Sequence, residues 1–476
     1  MARAASPFSA QEIVRGASAL TIDSRNAIDG SVFVAMRGAH TDGHRFIDDA
    51  IAHGARTIVM EQSRDLPDGV RGVVVADSAR ALAELANAYY GAPASALTLI
   101  GVTGTNGKTT TAQMIASILN AAGRVTGVIG TLGASVSDFA LPLHNTTPLA
   151  DELHKTLAQL REHGAVAVVL EVSSHALALD RVAGLRFEVA ALTNVTRDHL
   201  DFHGTFESYA TAKRALFDAC DRAVFNLDDE CGSAWSRTSD AARTLTYSLQ
   251  GGADFVAEDI ALHPHGSTFA VDGVRFEIPL AGRFNIANAL AAIAVCRASN
   301  VALADASRGL SELPTVRGRM EAVDGDSMQV FIDYAHTPDA LGAALRSLRE
   351  LQPRALTVVF GCGGDRDRGK RHEMGAMAAE LADQIVVTSD NPRSEAPADI
   401  ARDIIDGIGP ADYELILDRR LAIERAIERA RAGEIVLVAG KGHERTQIVG
   451  NDIIPFDDRD VVAAALRRRG ESRQCR

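Results

Sequence analysis

At 476 residues the chain is too long for one hydrophobic core, and 46% hydrophobic with 23% charged residues describes an ordinary globular protein of about two to four domains. A formal net charge of −13 argues against broad nucleic-acid binding, and no nucleic-acid partner is expected. There is no run of roughly 18 apolar residues to enter a membrane, the opening MARAASPFSAQEIVRG lacks the apolar stretch of a signal peptide, and five cysteines without a CxxC pair suit a reducing compartment, so a cytoplasmic protein without membrane insertion is expected.

In chain order, residues 1–92 alternate β-type and helical runs: SVFVAM (31–36), HRFIDDAIAHGA (44–55), RTIVM (56–60), GVVVA (72–76) and SARALAELANAYYG (78–91). GAPASA (91–96) reads as a turn-rich linker. Residues 93–320 carry the strand-like runs LTLIGVTG (97–104), AVAVVLEV (165–172), FEVAALTNV (187–195) and RAVFNLD (222–228), separated by helical stretches such as KTTTAQMIASILNAAG (108–123). Residues 321–476 repeat the pattern with MQVFIDYA (328–335), ALTVVFG (355–361), DQIVVTS (383–389) and EIVLVAG (434–440). Strands alternating with helices predict an α/β protein with mostly parallel sheets and right-handed crossovers. Their apolar, β-branched character suits sheets covered on both faces. Three domains are expected, at 1–92, 93–320 and 321–476. The basic end RRRGESRQCR (467–476) reads as a frayed, solvated terminus.

Nearly every strand-like run after residue 97 stops on polar, reactive residues: TGTNGKT, EVSSH, NVTRDH, IDYAH, GCGGDR, TSDNPR and AGKGHE. Ligands of open α/β sheets bind at the carboxyl ends of strands, so these ends predict two crevices closing over a substrate. The first is a strand, a glycine-rich loop and a helix. Glycines let backbone N–H groups approach phosphates, and the helix start adds partial positive charge. Lys108 is placed to reach the outer phosphates of a nucleotide and the Thr109 hydroxyl to ligate Mg²⁺. The spacing is irregular: Gly101 and Gly107 enclose five residues rather than four, with Gly104 among them.

Glu171 ends an apolar run, where a carboxylate needs a partner or a metal. Mg²⁺ takes oxygen ligands, and Glu171, Thr109, His199 and nucleotide phosphates make a plausible set. Taken alone, His199 reads as an ordinary loop residue and Lys213, in ESYATAKRALF, as a solvent-facing helical lysine.

GVTGTNGKTT, NTTP (145–148), EVSSHAL (171–177), NVTRDHLDFHG (194–204), GRFNIANALAA (282–292), GRME (318–321) and DYAHTPDAL (333–341) together resemble the Mur ligase family, the ATP-dependent amide-bond ligases of bacterial cell-wall synthesis. TIDSR (21–25), GCGGDRDRGKR (361–371), DNPR (390–393) and GKGHE (440–444) are similar to the branch that adds the third peptide residue. The resemblance implies a UDP-binding domain, a central P-loop-type ATPase domain and a Rossmann-like C-terminal domain. It implies ATP and two Mg²⁺ ions, phosphorylation of a γ-carboxylate on UDP-MurNAc-L-Ala-D-Glu, and attack on that acyl phosphate by the incoming amine. A monomer is expected.

Carried onto this chain, the resemblance implies that Gly104, Thr105, Asn106, Gly107, Lys108, Thr109 and Thr110 hold ATP, with Asn285, Arg319, Asp333 and His336 also against it. Asn285 could instead cap its helix. Thr109 and Glu171 would serve one Mg²⁺, and His199 with a carbamylated Lys213 the other. Ile22, Ser24 and the loop Ala39, His40, Thr41 would meet the UDP. Asn145, Thr146, Thr147, Ser173 and Arg181 would meet the muramoyl-dipeptide. Leu179 stands where some relatives carry glutamine, so one substrate hydrogen bond would be missing or supplied elsewhere. Arg366, Asp390, Asn391, Pro392, Arg393, Gly440 and Glu444 would surround the incoming amino acid. Arg393 supplies a planar fork for a distal carboxylate, which meso-diaminopimelate has and L-lysine lacks. Diaminopimelate is therefore the expected substrate and L-lysine the alternative. Folylpolyglutamate synthetase, which shares the loop and the histidine motif, and a nucleotide-sensing module without catalysis are the rival readings.

Overall fold

The computed structural model describes residues 9–38, 41–325 and 328–474. The chain gathers into two compact units, one of residues 1–103, 123–191 and 211–223, the other of residues 104–122, 192–210 and 224–476.

The first unit opens with a parallel sheet of Leu20–Thr21, Ser31–Val34, Ala55–Met60 and Arg71–Val74 in chain order. Alternation along the second strand sorts its residues to two faces. Val32 and Val34 pack with Leu82, Leu85 and Ala86 of the helix Ser78–Tyr89, while Phe33 and Ala35 pack with Ile47 and Ala50 of the helix Ile47–Ala52. The run at 44–55 begins as a tight 3₁₀ turn, Gly43–Phe46, and becomes α-helical only at Ile47. Asp42 accepts from His44 N and imposes that start.

The same unit holds the strands Phe187–Leu192, Thr98–Thr103, Ala167–Glu171 and Thr126–Gly130, side by side in that order. The last three are parallel. The antiparallel strands Gly133–Val136 and Phe139–Leu141 extend this sheet and carry no motif that announced them. The helix Ala150–Glu162 buries His154, which is 2% exposed with its Nδ1 lacking a hydrogen-bond partner. Burial pushes its pKa from 6.5 down to about 4. The unfolded chain therefore takes up a proton that the folded chain refuses, between pH 6.5 and 4. Stability is full above this window and falls through it as pH falls, by about 3 kcal/mol. Half-buried Asp151, whose pKa desolvation raises, acts in the opposite sense at the acid end. Urea unfolding across this range is expected to show the slope, and a His154→Leu variant to lose it. An equal slope in the variant would refute the assignment.

The second unit contains a six-stranded sheet in the order Glu321–Asp324, Gln329–Asp333, Ile435–Ala439, Leu356–Phe360, Gln384–Val387, Glu414–Leu415. Only the first pairing is antiparallel. Both faces are covered, as apolar parallel strands require. Leu341, Leu345, Met374, Ile400 and Ile404 pack on Phe331, Val358, Phe360 and Leu437. Ile423, Ile427, Val461 and Val462 pack on Val330, Ile332, Val359 and Val438. The four long strands therefore end together at Asp333, Phe360, Val387 and Ala439.

This unit also holds the antiparallel strands Glu258–His263, Gly266–Val271 and Val274–Ile278, which the αβ alternation did not foretell. Residues 467–474 of the basic end are not frayed: they continue the helix Asp458–Gln474, where Arg468 pairs with Glu424 and Arg469 donates to the carbonyls of Ile427 and Ala430, and residues 475 and 476 lie outside the described residues. Among the described residues Cys220, Cys231, Cys296 and Cys362 form no disulfide, and no described helix is long and apolar enough to cross a membrane.

Candidate active site

The loop after Thr103 belongs to the second unit and is built by close packing. Gly104 and Gly107 have φ of +152° and +85°, and a Cβ on either would overlap Thr193 Oγ1 or Asn288 Oδ1. Asn194 braces the loop, accepting from Thr105 N through its carbonyl (2.8 Å) and from Asn106 N through Oδ1 (2.9 Å). Thr105 Oγ1 meets Tyr209 Oη at 2.8 Å and accepts from Thr196 N. Lys108 Nζ donates to the carbonyls of Gly104 and Thr105 at 2.8 and 2.9 Å, curling over the loop it follows. Thr109 and Thr110 are buried in the first turn of the helix Lys108–Ala121. Arg319 Nη2 donates to Thr109 Oγ1 at 3.1 Å, and its guanidinium lies 4.8 Å from the centre of the Tyr334 ring. Asn285 braces its helix start, donating to Ala281 O, and accepts from Asn288.

Asp333 closes its strand with both carboxylate oxygens used, by Met320 N (2.7 Å) and Ala335 N (2.8 Å). Burial raises its pKa, against the opposing pull of Arg319. His336 holds its Nδ1 2.8 Å from Tyr334 O. Burial, with Lys370 adding, takes its pKa to about 4, so the ring is neutral at pH 7. Burial works to raise the pKa of Asp198, but Lys370 and, at acid pH where they are protonated, His199 and His336 hold it below its ordinary value. His199 adopts φ of +54°, a left-handed conformation uncommon for a side-chain-bearing residue.

Beside these groups lies a cavity of about 240 Å³, lined among others by His199, His336, Arg366, Lys370, Arg393 and Glu444. Asp390, Asn391 and Gly440 also line it. Arg393 and Asp365 have φ of +52°. The strand Gln384–Val387 has already ended before Pro392, and the backbone of Arg393 is pinned on both sides by Ile448 O (3.1 Å) and Gly450 N (2.7 Å). The Arg393 guanidinium donates to Gly364 O at 2.7 Å. Burial and the nearby Arg366 lower its pKa, against the pull of Asp390 and Glu444. Cations and carboxylates thus share one cavity wall, as a zwitterionic ligand requires. Beneath it, fully buried Arg419 pairs with Asp458 and donates to Ala439 O at 2.9 Å. Buried Arg371 ties Glu395 and Asp403 together.

In the first unit, Glu171 is 1% exposed and accepts from Thr131 N (3.0 Å) and Thr131 Oγ1 (3.1 Å). Thr147 Oγ1 donates to Glu171 O at 2.8 Å, Ser173 N donates to Thr147 Oγ1, and Arg181 Nη1 donates to Thr147 O at 2.9 Å. Thr146 meets Thr131 at 3.1 Å. Asn145 and Leu179 are exposed. Glu171, Thr146, Thr147, Ser173 and Arg181 therefore form one cluster. Ile22 and buried Ser24 lie in a separate segment of this unit, and Thr41 is exposed. Ala39 and His40 lie outside the described residues. Lys213 is 1% exposed, which corrects the reading of a solvent-facing lysine. Of the four residues assigned to metal, Glu171 and Lys213 belong to this unit, Thr109 and His199 to the other. The carboxylate of Glu171 and hydroxyl of Thr109 are oxygen donors of the kind Mg²⁺ takes.

A Cβ on Gly130 would overlap Glu171 Oε1. Gly130→Ala is expected to lower the unfolding free energy by about 1–3 kcal/mol, read from urea denaturation. An unchanged midpoint would show that Glu171 is not confined as described.

Sequence reading passed over Thr131, Asn194, Asp198, Asn288, Lys370 and Lys441. Asn194, Asp198 and Lys370 stand inside or beside quoted strand-end motifs, which were the available signal; Asn288 stands within the helical motif GRFNIANALAA, and Lys441 within GKGHE carries nothing to set it apart from a surface lysine. Thr131 follows a strand with no such mark.

Three family descriptions match the chain: "Mur ligase family, catalytic domain" over residues 17–90, "Mur ligase middle domain" over 102–296 and "Mur ligase, glutamate ligase domain" over 318–442. The UDP-N-acetylmuramoyl-L-alanyl-D-glutamate–2,6-diaminopimelate ligase of Geobacillus thermodenitrificans is 45% identical over 467 residues, 95% of each chain. The chain belongs to the Mur ligase family. The ligase of the same name from Gloeobacter violaceus is 46% identical to this Mur ligase over 461 residues, 94% of each chain. A solved structure titled for the same ligase is 34% identical, covers 95% of both chains and has a TM-score of 0.67.

Proposed function

We propose that this Mur ligase joins meso-2,6-diaminopimelate to the D-glutamate γ-carboxylate of UDP-MurNAc-L-Ala-D-Glu, at the expense of ATP, in cytoplasmic synthesis of peptidoglycan precursors. The observation that carries the reading is the cavity in which Arg393 and Arg366 stand with Asp390, Asn391 and Glu444. A diamino-dicarboxylate needs cations for its carboxylates and acceptors for its ammonium groups. The names of relatives about 45% identical over nearly the whole chain support the same substrate pair.

The chemistry is two displacements. The γ-carboxylate oxygen attacks the terminal phosphorus of ATP, the bridging P–O bond breaks, and ADP leaves. The free amine of diaminopimelate then attacks the acyl carbon, the C–N bond forms, and phosphate departs as the amine loses a proton. Gly104 to Thr110 cradle the phosphates in this scheme. Lys108 and Arg319 offset charge between two anions, while Asn285, Asp333 and His336 contact the nucleotide. Thr109 and Glu171 would hold one Mg²⁺, and His199 with carbamylated Lys213 a second, supplying charge neutralisation to the transferring phosphoryl group. Ile22, Ser24 and Thr41 would meet the uridine moiety within domain 1–92. Asn145, Thr146, Thr147, Ser173 and Arg181 would hold the dipeptide within domain 93–320. The incoming amino acid falls to domain 321–476, and the protein acts as a monomer.

Phosphate release by the purified protein tests this. It should require ATP, UDP-MurNAc-L-Ala-D-Glu and diaminopimelate together. Release driven by folate and glutamate would instead mark a folylpolyglutamate synthetase, and no release in any combination a nucleotide sensor.

A further inference from the structure

Lys441 follows Gly440 at the end of the strand Ile435–Ala439 and is fully buried, while its partner Glu444 is 28% exposed. It does not line the cavity; Asn391 and Glu444 do. Its Nζ donates to Asn391 Oδ1 at 2.9 Å and to Glu444 Oε2 at 2.8 Å. Asn391 Oδ1 accepts a second bond, from Ile448 N at 3.0 Å. Both of these partners can only donate, so the amide has one orientation, with Nδ2 turned away from them. Nδ2 reaches Glu444 Oε2 at 2.8 Å. Both bonds to Glu444 thus fall on Oε2, and Oε1 remains for a ligand's ammonium.

A buried ammonium is costly and persists where its partners are arranged around it. The turn allows little else. Gly440 and Gly442 have φ of +111° and +50°, and a Cβ on Gly442 would stand 2.7 Å from Tyr334 Cβ. We infer that Lys441 is a positioning residue for the amino-acid substrate: from behind the cavity wall it fixes the amide of Asn391 and the carboxylate of Glu444 in the orientation that receives the substrate's ammonium group. The inference rests on the proposed function for the identity of that substrate, and extends it to a residue that the substrate does not touch.

The test is steady-state kinetics of Lys441→Met, with each of the three substrates varied in turn. KM for the amino acid should rise about 30-fold, as expected for loss of two charge-assisted hydrogen bonds that order a binding wall. KM for ATP and for the UDP-dipeptide should stay within about twofold and kcat within about threefold. In a Glu444→Gln background the same substitution should add less than about threefold, because the two act as one unit. Should Lys441→Met fail to fold, Lys441→Gln, which keeps a donor, carries the same measurement. An amino-acid KM that does not move, or a parallel change in all three KM values, overturns the inference. The wild type assayed with diaminopimelate against L-lysine reads the proposed function separately, and the KM of whichever amino acid it uses reads Lys441. Use of neither overturns both.

Discussion

Arg393→Ala is expected to lower kcat/KM for diaminopimelate about 10³-fold, equivalent to about 4 kcal/mol, while thermal stability changes little. The guanidinium has five N–H donors in a planar fork, and the structure engages Nη1 with Gly364 O. The rest of the fork suits a bidentate carboxylate. Under the proposed function, removing it would leave the substrate's distal carboxylate desolvated with only Arg366 near it as a counter-charge, and that penalty would account for most of the loss. The backbone of residue 393 is already left-handed and held by Ile448 and Gly450. Alanine meets the same strain as arginine there, so the fold should persist. Use of L-lysine, which has no distal carboxylate, should change by less than about threefold. Equal losses for both amino acids would show that Arg393 serves the turn rather than the substrate.

Lys213→Ala is expected to lower kcat about 10³-fold, with partial recovery on adding short carboxylic acids. The side chain is 1% exposed in the helix Phe206–Arg214. An ammonium is a poor companion for a cation. The proposed carbamylation would change this: the amine would add CO₂ through a new N–C bond and lose a proton, leaving an anionic oxygen donor that suits Mg²⁺. Small carboxylates can occupy the space left by alanine and restore those oxygens. Activity unchanged in the variant, or a loss that no carboxylate reverses in a correctly folded protein, would contradict the carbamate.

The parallel strands were legible because an apolar β-branched run such as AVAVVLEV has few other fates, and because each ended on residues a core rejects. The phosphate loop was legible for the same reason. The strands between Glu258 and Ile278 were not, since short antiparallel strands with mixed polarity, such as GSTFAV, resemble loops in sequence. Helix Asp458–Gln474 was hidden by its arginines, whose interaction with carbonyls of the neighbouring helix is a tertiary effect. Arg393 stood out in the sequence because a turn has no use for a guanidinium, and the structure places it on the cavity wall. Lys441 did not stand out. Within GKGHE it resembles any surface lysine, and only the fold shows it buried beneath Asn391 and Glu444.

The most direct measurement supplies the purified enzyme with UDP-MurNAc-L-Ala-D-Glu, ATP, Mg²⁺ and equal concentrations of meso-diaminopimelate and L-lysine, and identifies the nucleotide product by mass. The product should carry diaminopimelate almost exclusively. A product carrying lysine in equal or greater amount would contradict the reading of Arg393 and, with it, the assigned substrate.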